Sequence, residues 1–383
     1  MDDLLPLPAA VAIDYTAALT QGGGIGRYAR ELIRALARLD NQTDYRLFVA
    51  GQRADDLSVP PGPNFSWRPA RLSSEWFARL WHRARVPVPV ERWTGPVGVV
   101  HAPDFTLPPT RRSTRTLLTV HDLSFVQAPE TAAPRLRAYL GRVVPRSVAR
   151  ADHVLADSEA TRQDLIELYG TPADKISVLY SGVDERFRPV ADELVLKEVR
   201  RRYGIGEGPY ILSVGTVQPR KNYGRLAEAL HRLGRPDIRL VIAGGRGWLE
   251  DALYTQIAAL GLEERVKFTG FVADEDLPAL YSGACVFAFP SLFEGFGLPP
   301  LEAMACGVPV VASNTSSVPE VVGDAALVVD PYDVGALAEA LEHLLDSEAL
   351  RSILTARGRE RARQFSWAAA ARKLHEHYAA LLT

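Results

Sequence analysis

Ser291-Leu-Phe-Glu294-Gly-Phe-Gly297-Leu-Pro-Pro-Leu-Glu302-Ala-Met-Ala-Cys-Gly307-Val-Pro309-Val sets two glutamates eight positions apart across a glycine loop. The apolar run Cys285–Pro290 before it reads as a buried strand, and Leu301–Ala305 within it reads as a helix. Gly295 and Gly297 let the backbone turn sharply and come close to a ligand, while Pro299 and Pro300 suit a helix's first turn. Free N–H groups at such a start favour a phosphate. About one turn inside, Glu302 can accept hydrogen bonds from a pair of sugar or ribose hydroxyls, and Glu294 on the loop can reach a second polyol. A further strand-like run, Gly307–Ala312, follows at once. A glutamate pair without such a context reads first as a loop charge and a solvated helix residue or helix-start charge. The succession of strand, glycine loop, helix start and strand points instead to a phosphorylated sugar held between two carboxylates.

The pattern repeats along the chain. Apolar runs Val11–Tyr15, Tyr45–Ala50, Val97–His101, Thr116–His121, His153–Asp157 and Ile176–Tyr180 alternate with helical stretches such as Ile25–Leu39 and Ser158–Tyr169, with Ser158 as N-cap. A second set comprises Tyr210–Val214, Arg239–Ala243, Val266–Thr269, Cys285–Phe289, Val308–Ala312 and Ala326–Val329. Alternation of this kind predicts parallel sheets covered on both faces, an α/β class built as two doubly wound Rossmann-like domains facing each other across a cleft. The polar stretch Gly182–Val190 reads as the linker, so the expected domains are residues 1–187 and 188–365. The amphipathic segment after Phe365-Ser-Trp367 forms a closing helix, residues 366–383.

At 383 residues, 47% hydrophobic and 23% charged, the chain is long enough for two cores and has an ordinary globular composition. Met1-Asp-Asp-Leu-Leu is acidic where a signal peptide needs a basic start, and no apolar run reaches the length of a bilayer span. Cys285 and Cys306 sit in apolar runs as small core residues. The expected location is cytoplasmic. The net charge of −2 conceals a basic region: residues 68–150 hold fourteen arginines and no lysine against five acidic residues. Within it, Glu75-Trp76-Phe-Ala-Arg79-Leu-Trp81-His-Arg83-Ala-Arg85 mixes aromatics with cations, suiting an anionic membrane surface, a phosphorylated acceptor, or a half-buried helix with a solvated basic face. No recognition motif accompanies the charge, so nucleic acid is not expected as a partner.

Thr216-Val-Gln-Pro219-Arg220-Lys221-Asn222 places adjacent cations between a strand's carboxyl end and a helix, a counter-charge for a diphosphate that gathers charge as a glycosidic bond breaks. Gly22-Gly-Gly24-Ile-Gly26-Arg27-Tyr28 opens the first long helix. Through Gly24, Gly26 and Ala29 it fits a dinucleotide fingerprint, but the second strand ends Val49-Ala50-Gly51 without the acidic ribose ligand a nicotinamide cofactor needs. His121 ends one strand, Gly244 follows another, and Gly270-Phe271-Val272 a third.

The glutamate pair and its surroundings resemble the retaining GT-B glycosyltransferases of family 4, whose mark is Glu-x7-Glu, and the likeness extends from the glycine loop at 22–26 to the helix after Glu302. The resemblance implies that Glu302 holds the nucleotide ribose, that Glu294 with Gly295, Phe296, Gly297 and Leu298 holds the donor sugar, and that Lys221 binds the diphosphate. The family's arginine after the glycine is Thr216 here, leaving Arg220 to replace it. Gly24 and Gly26 become a mobile loop near the donor phosphates, His121 lies beside the donor sugar through its carbonyl or ring nitrogen, Gly244 lines the nucleotide pocket, and the backbone at Phe271 and Val272 meets the base. The C-terminal helix is expected to return to the N-terminal, acceptor-binding domain. The implied activity is transfer of a hexose with retention, without cofactor or metal ion, by front-face substitution onto a saccharide or lipid-linked saccharide in surface-polysaccharide synthesis. Gly-Gly-Ile-Gly-Arg-Tyr with Pro-Arg-Lys-Asn looks most like the mannosyltransferase branch, making GDP-mannose the first choice of nucleotide-sugar donor and UDP-glucose the second. A nucleotide-sugar epimerase of the same fold and a catalytically silent nucleotide-sugar-binding scaffold remain open.

Overall fold

The computed structural model describes residues 4–248 and 251–383; the first three residues of the expected first domain lie outside the described residues. The chain divides into two compact units. One gathers the chain up to Leu123, Arg135–Gly182 and Ser366–Thr383; the other holds Ser124–Pro134 and Val183–Phe365.

In the first unit the strands are β1 (Val11–Asp14), β2 (Tyr45–Ala50), β3 (Phe65–Ala70), β4 (Val99–Ala102), β5 (Arg115–Val120), β6 (His153–Ala156) and β7 (Ile176–Val178). All are parallel, in the order β3-β2-β1-β4-β5-β6-β7. In the second, β8 (Tyr210–Val214), β9 (Arg239–Ala243), β10 (Val266–Gly270), β11 (Val286–Phe289), β12 (Val310–Ser313) and β13 (Ala326–Val329) form a parallel sheet in the order β10-β9-β8-β11-β12-β13. The central strands are buried on both faces, as their unbroken apolar runs require. In each sheet the order reverses beside the first strand, between β1 and β4 and between β8 and β11. Those reversals are where doubly wound sheets receive ligands, at the strands' carboxyl ends.

Two expectations need correction. Strand β3 has no counterpart in the sequence reading, because Phe65-Ser-Trp-Arg-Pro-Ala breaks its apolar pattern with Arg68 and Pro69. Proline is tolerated there because β3 lies at the sheet's edge. The unit boundary falls at Gly182/Val183 rather than after residue 187. Val183 donates its N–H to the Phe365 carbonyl (3.1 Å), and Phe187 is buried in the second unit's core with Val183 and Val190 packed against it. The stretch expected to be the linker is therefore anchored to the second unit's core through Phe187, with Glu185, Arg188 and Pro189 exposed. Residues 124–134 also belong to the second unit, where the Trp248 indole N–H donates to the Thr131 carbonyl (2.9 Å).

The closing helix, Trp367–Leu382, is capped by Ser366, whose Oγ accepts from the Ala369 N–H. It belongs to the first unit, where Tyr378 is fully buried and its hydroxyl meets His101 Nδ1 at 2.8 Å. His101 Nε2 is taken up by Thr119 Oγ1 (3.0 Å), so this strand-end histidine is an internal anchor for the helix. Burial and then the neighbouring His121 push its pKa down to about 3, so its imidazole is neutral.

The basic aromatic stretch splits. Phe77 and Trp81 are buried with Phe48 and Val90 in a core cluster, whereas Trp76 is 53% exposed with the Arg79 guanidinium 4.9 Å above its ring. Among the described residues no helix is long and apolar enough to cross a membrane.

Candidate active site

In the second unit, the chain leaving β8 turns through Gly215 and Thr216 into a short 3-10 turn, Pro219–Lys221, and then the helix Tyr223–Arg232. Asn222 joins the two in a left-handed conformation (φ +60°), with its Nδ2 donating to the carbonyls of Pro290 (3.0 Å) and Pro331 (2.7 Å). That clamp fastens the Arg220-Lys221 turn to the end of β11. The chain leaving β11 supplies Glu294. Its carboxylate receives Lys221 Nζ on Oε1 (2.6 Å) and Arg220 Nη1 on Oε2 (2.7 Å), and all three side chains are at most 16% exposed. Burial alone would raise the Glu294 pKa, but the two cations override it and hold it down at about 2. Glu294 is thus an anion at any physiological pH, and the cluster of one carboxylate and two cations keeps one positive charge in excess.

The loop carrying Glu294 is tied from outside. Its N–H donates to Ser316 Oγ (2.8 Å), and the Ser317 hydroxyl lies 2.9 Å from the Glu294 carbonyl and 2.8 Å from that of Phe296. Gly297 then takes φ +120°, a conformation side chains avoid, and serves as N-cap of the helix Leu298–Ala305 without any side-chain cap. Pro299 and Pro300 occupy its first turn, as the sequence predicts. One turn on, Glu302 is 2% exposed and its Oε2 accepts from the Tyr281 hydroxyl at 2.8 Å. Neither glutamate is a solvated surface charge.

Other expected residues fall around this site with different parts exposed. Gly244 follows β9 and donates its N–H to the Gly270 carbonyl (2.9 Å), bringing the ends of β9 and β10 side by side. Thr216 is half-buried at the end of β8, and Gly295 is buried in the Glu294 loop. Leu298 is half-buried, whereas the Phe296 ring packs edge-on against Phe365 (5.7 Å) and serves the core. Phe271 is 66% exposed, but Val272 is buried in the core, leaving only backbone for a ligand. Asp274-Glu275-Asp276 has the Asp-x-Asp spacing of a divalent-ion motif, which the metal-free reading passes over. Asp276 is bound to Arg202 (2.8 Å) and Tyr203 (2.7 Å), and Asp274 pairs with Arg186 (3.5 Å). Among the described residues no cluster of three or more His, Cys, Asp or Glu side chains is arranged to hold a metal ion.

The first unit places His121 just past β5. Its Nδ1 meets Asp157 Oδ2 at 2.7 Å, its Nε2 donates to the Pro103 carbonyl (2.8 Å), and its own carbonyl accepts from Thr161 Oγ1 (3.1 Å). Burial opposes a charge here, but Asp157 and then Asp104 raise the pKa to about 9, so His121 is an imidazolium. Both ring nitrogens and the carbonyl are engaged inside the unit. The expected ring contact with a sugar is therefore not available in this arrangement. Sequence reading missed Asp157, although its place at the end of β6 in Ala156-Asp157-Ser158 is the signal that could have found it. Gly24 and Gly26 lie in the first turn of the helix Gly24–Leu39 rather than in a loop. A side chain at Gly26 would run into the Gln21 carbonyl, which accounts for that glycine by packing.

Residues 22–187 match the model of the Glycosyltransferase Family 4, and residues 197–361 that of the Glycosyl transferases group 1. The chain is similar to the O-antigen chain mannosyltransferase B of Escherichia coli, 36% identical over 359 residues, covering 90% of this chain and 92% of that protein. A GDP-mannose-dependent alpha-(1-6)-phosphatidylinositol monomannoside mannosyltransferase of Mycolicibacterium smegmatis is 39% identical over 51% of this chain and 53% of its own length. Among solved structures, a sucrose-phosphate synthase of Thermosynechococcus elongatus matches 99% of both chains with a TM-score of 0.77 at 23% identity, a likeness of fold.

Proposed function

This chain belongs to family 4 of the GT-B glycosyltransferases, and from that premise we propose that it moves mannose from GDP-mannose, with retention, onto a saccharide or lipid-linked saccharide acceptor in surface-polysaccharide synthesis. The similarity to an O-antigen mannosyltransferase over nearly the full length supports the sugar and the pathway class, and the GDP-mannose-dependent relative supports the nucleotide.

One observation carries the reading: the buried Glu294–Lys221–Arg220 triad with its surplus positive charge beside the uncapped helix start at Gly297. With no ligand, Glu294 neutralises one of the two cations. A donor diphosphate takes both over and accepts N–H groups at the helix start, which frees Glu294 to bind the sugar hydroxyls. Glu302 holds the ribose. The bond from the sugar's anomeric carbon to the β-phosphate oxygen breaks as the acceptor hydroxyl oxygen bonds to the same face of that carbon. The hydroxyl proton passes to the departing β-phosphate. Lys221 and Arg220 stabilise the charge gathering on that phosphate, more in the transition state than before it. On this reading no divalent ion is required, and turnover in excess chelator matches turnover without it.

Incubation with labelled GDP-mannose, UDP-glucose and a panel of saccharide acceptors tests the proposal, with the anomeric configuration of the product read by NMR. An α-mannoside from α-linked GDP-mannose is expected. Preference for UDP-glucose, an inverted product, or donor interconversion without transfer overturns it.

The same reading places the enzyme in the cytoplasm, peripheral to the inner face of the membrane, where exposed Trp76 and Arg79 with Arg83 and Arg85 meet anionic lipid. Flotation with anionic vesicles that fades as salt rises, and is lost when Arg79, Arg83 and Arg85 become Glu, is the expected result. A wild-type protein that ignores such vesicles at low salt overturns it.

A further inference from the structure

Two adjoining hollows in the first unit gather six of the basic region's arginines. The larger, about 540 Å³, has walls of Trp81, Pro87, Pro109 and Val143, with Arg85, Arg146 and Arg150 among its lining. The smaller, about 280 Å³, shares Thr110 and Arg150 and adds Arg111, Arg112 and Arg115.

Among the described residues no carboxylate lines the larger hollow. In the smaller the acidic residue is Asp152, whose Oδ2 already accepts from the Thr116 N–H (2.8 Å) and hydroxyl (2.7 Å), with Arg115 at 3.4 Å from Oδ1. Arg150 is fixed between them by donating to the carbonyls of Leu107 (3.2 Å) and Pro108 (2.8 Å), neutral partners that leave its charge unbalanced. Arg85 sits in a left-handed conformation (φ +56°) that holds it at the rim, and it and Arg146 are exposed. The field is felt by His82 in the same lining: burial, and then the Arg150 charge, push its pKa down to about 4. The hollow is therefore cationic at its edge and hydrocarbon along its walls.

Its place in the sheet separates it from the sugar chemistry. Arg115 opens β5 and Asp152 immediately precedes β6, so the smaller hollow lies at the strands' amino ends. His121 and Asp157 follow the carboxyl ends of the same two strands, a strand length of roughly 20 Å away at about 3.3 Å per residue. A donor or an attacking hydroxyl has no business at this edge.

We propose that this groove binds a single anionic phospholipid, its phosphate between Arg85, Arg146 and Arg150 and its glycerol and first methylenes against Trp81, Val143 and the two prolines. The proposal rests on the membrane reading above and gives it a defined pocket in place of a diffuse basic face. A free inorganic phosphate would satisfy the guanidinium groups but leave the apolar wall wet, whereas a lipid covers both parts of the lining. The arginines' planar donors suit a phosphate diester in a way that lysines would not.

The experiment uses the full chain and dihexanoylphosphatidylglycerol below its micellar concentration, with calorimetry as the readout. Saturable binding is expected, weakened at least tenfold both in Arg85→Gln/Arg146→Gln and in Ala149→Trp, which leaves every charge in place but fills the groove; inorganic phosphate does not displace the lipid. The groove proposal is overturned if the wild type ignores the monomeric lipid, if Ala149→Trp binds it like the wild type, or if inorganic phosphate competes on equal terms. Flotation with phosphatidylglycerol vesicles separates the two ideas. Protein that floats yet ignores the monomeric lipid defeats the groove and keeps the membrane reading, whereas protein that takes the monomeric lipid but does not float defeats the membrane reading alone.

Discussion

Two buried charge clusters, one in each unit at the carboxyl ends of its strands, are built with opposite surpluses: one beside the switch between β8 and β11, the other after β5 and β6, away from the switch between β1 and β4. In the second unit one carboxylate, Glu294, faces two cations, Lys221 and Arg220, at the switch between β8 and β11. In the first, one imidazolium, His121, faces Asp157 directly, with Asp104 adding to the field. The first arrangement is short of negative charge, which is the basis of the proposal that a polyanion completes it. The second has both ring nitrogens of its cation hydrogen-bonded by the protein, while Asp157 Oδ1 is buried without a partner. Carboxyl-end positions of the two sheets thus carry a cluster with surplus positive charge in one unit and an internally paired imidazolium brace in the other.

The sharpest way to break that contrast is at Lys221. Lys221→Ala removes the surplus cation, so turnover falls about 100- to 1000-fold while affinity for the free nucleoside changes little. A variant with wild-type kcat would reduce Lys221 to a structural counter-ion of Glu294.

The brace predicts a pH dependence of stability. The folded pKa of His121, about 9, lies above its ordinary value near 6.5, so its contribution is fully present below about pH 6.5 and is lost as pH rises through 9. The shift corresponds to roughly 3 kcal/mol, read as a fall in denaturant-unfolding free energy between pH 7 and 10. His121→Gln should be less stable at pH 7 and flat across that window. If the wild type is equally flat, the imidazole is neutral and the contrast between the units fails.

Glu302→Gln sharpens the ligand side. An amide accepts two ribose hydroxyls less well than a carboxylate does, at an expected cost of about 1–3 kcal/mol in nucleotide affinity. Titration with GDP and UDP checks it, and unchanged affinity for the preferred nucleotide removes Glu302 from the ribose. The smallest effect belongs to Tyr281→Phe, which takes away the hydroxyl that orients Glu302. A loss of about 1 kcal/mol in GDP affinity with kcat nearly unchanged is expected, and a purely structural role would leave KM for the donor where it was.

Legibility followed the kind of signal each residue carries. Strands β2, β8 and β9 match the sequence-based bounds because strands covered on both faces are largely apolar, and β13 matches them although it is a partly exposed edge strand. Strand β3 escaped because an edge strand can hold Arg68 and Pro69. The Ser158 cap was readable, since a cap needs a particular side chain at a particular place; its Oγ accepts from the Thr161 N–H. The partners of the site residues were not. Asp157 is 36 positions from His121 and Glu294 is 73 from Lys221, pairings made only when separate strand ends meet.

By itself, then, the sequence determined the two parallel sheets and the glycine loop and helix start at 294–302, because periodicity and turn chemistry are local. Tertiary structure alone decided that Arg220 and Lys221 share Glu294, that His121 is sealed between Asp157 and the Pro103 carbonyl, and that Phe187 anchors its stretch to the second unit's core. Those outcomes depend on which distant groups burial brings together and on the charge each must then balance, and neither is written in the spacing along the chain.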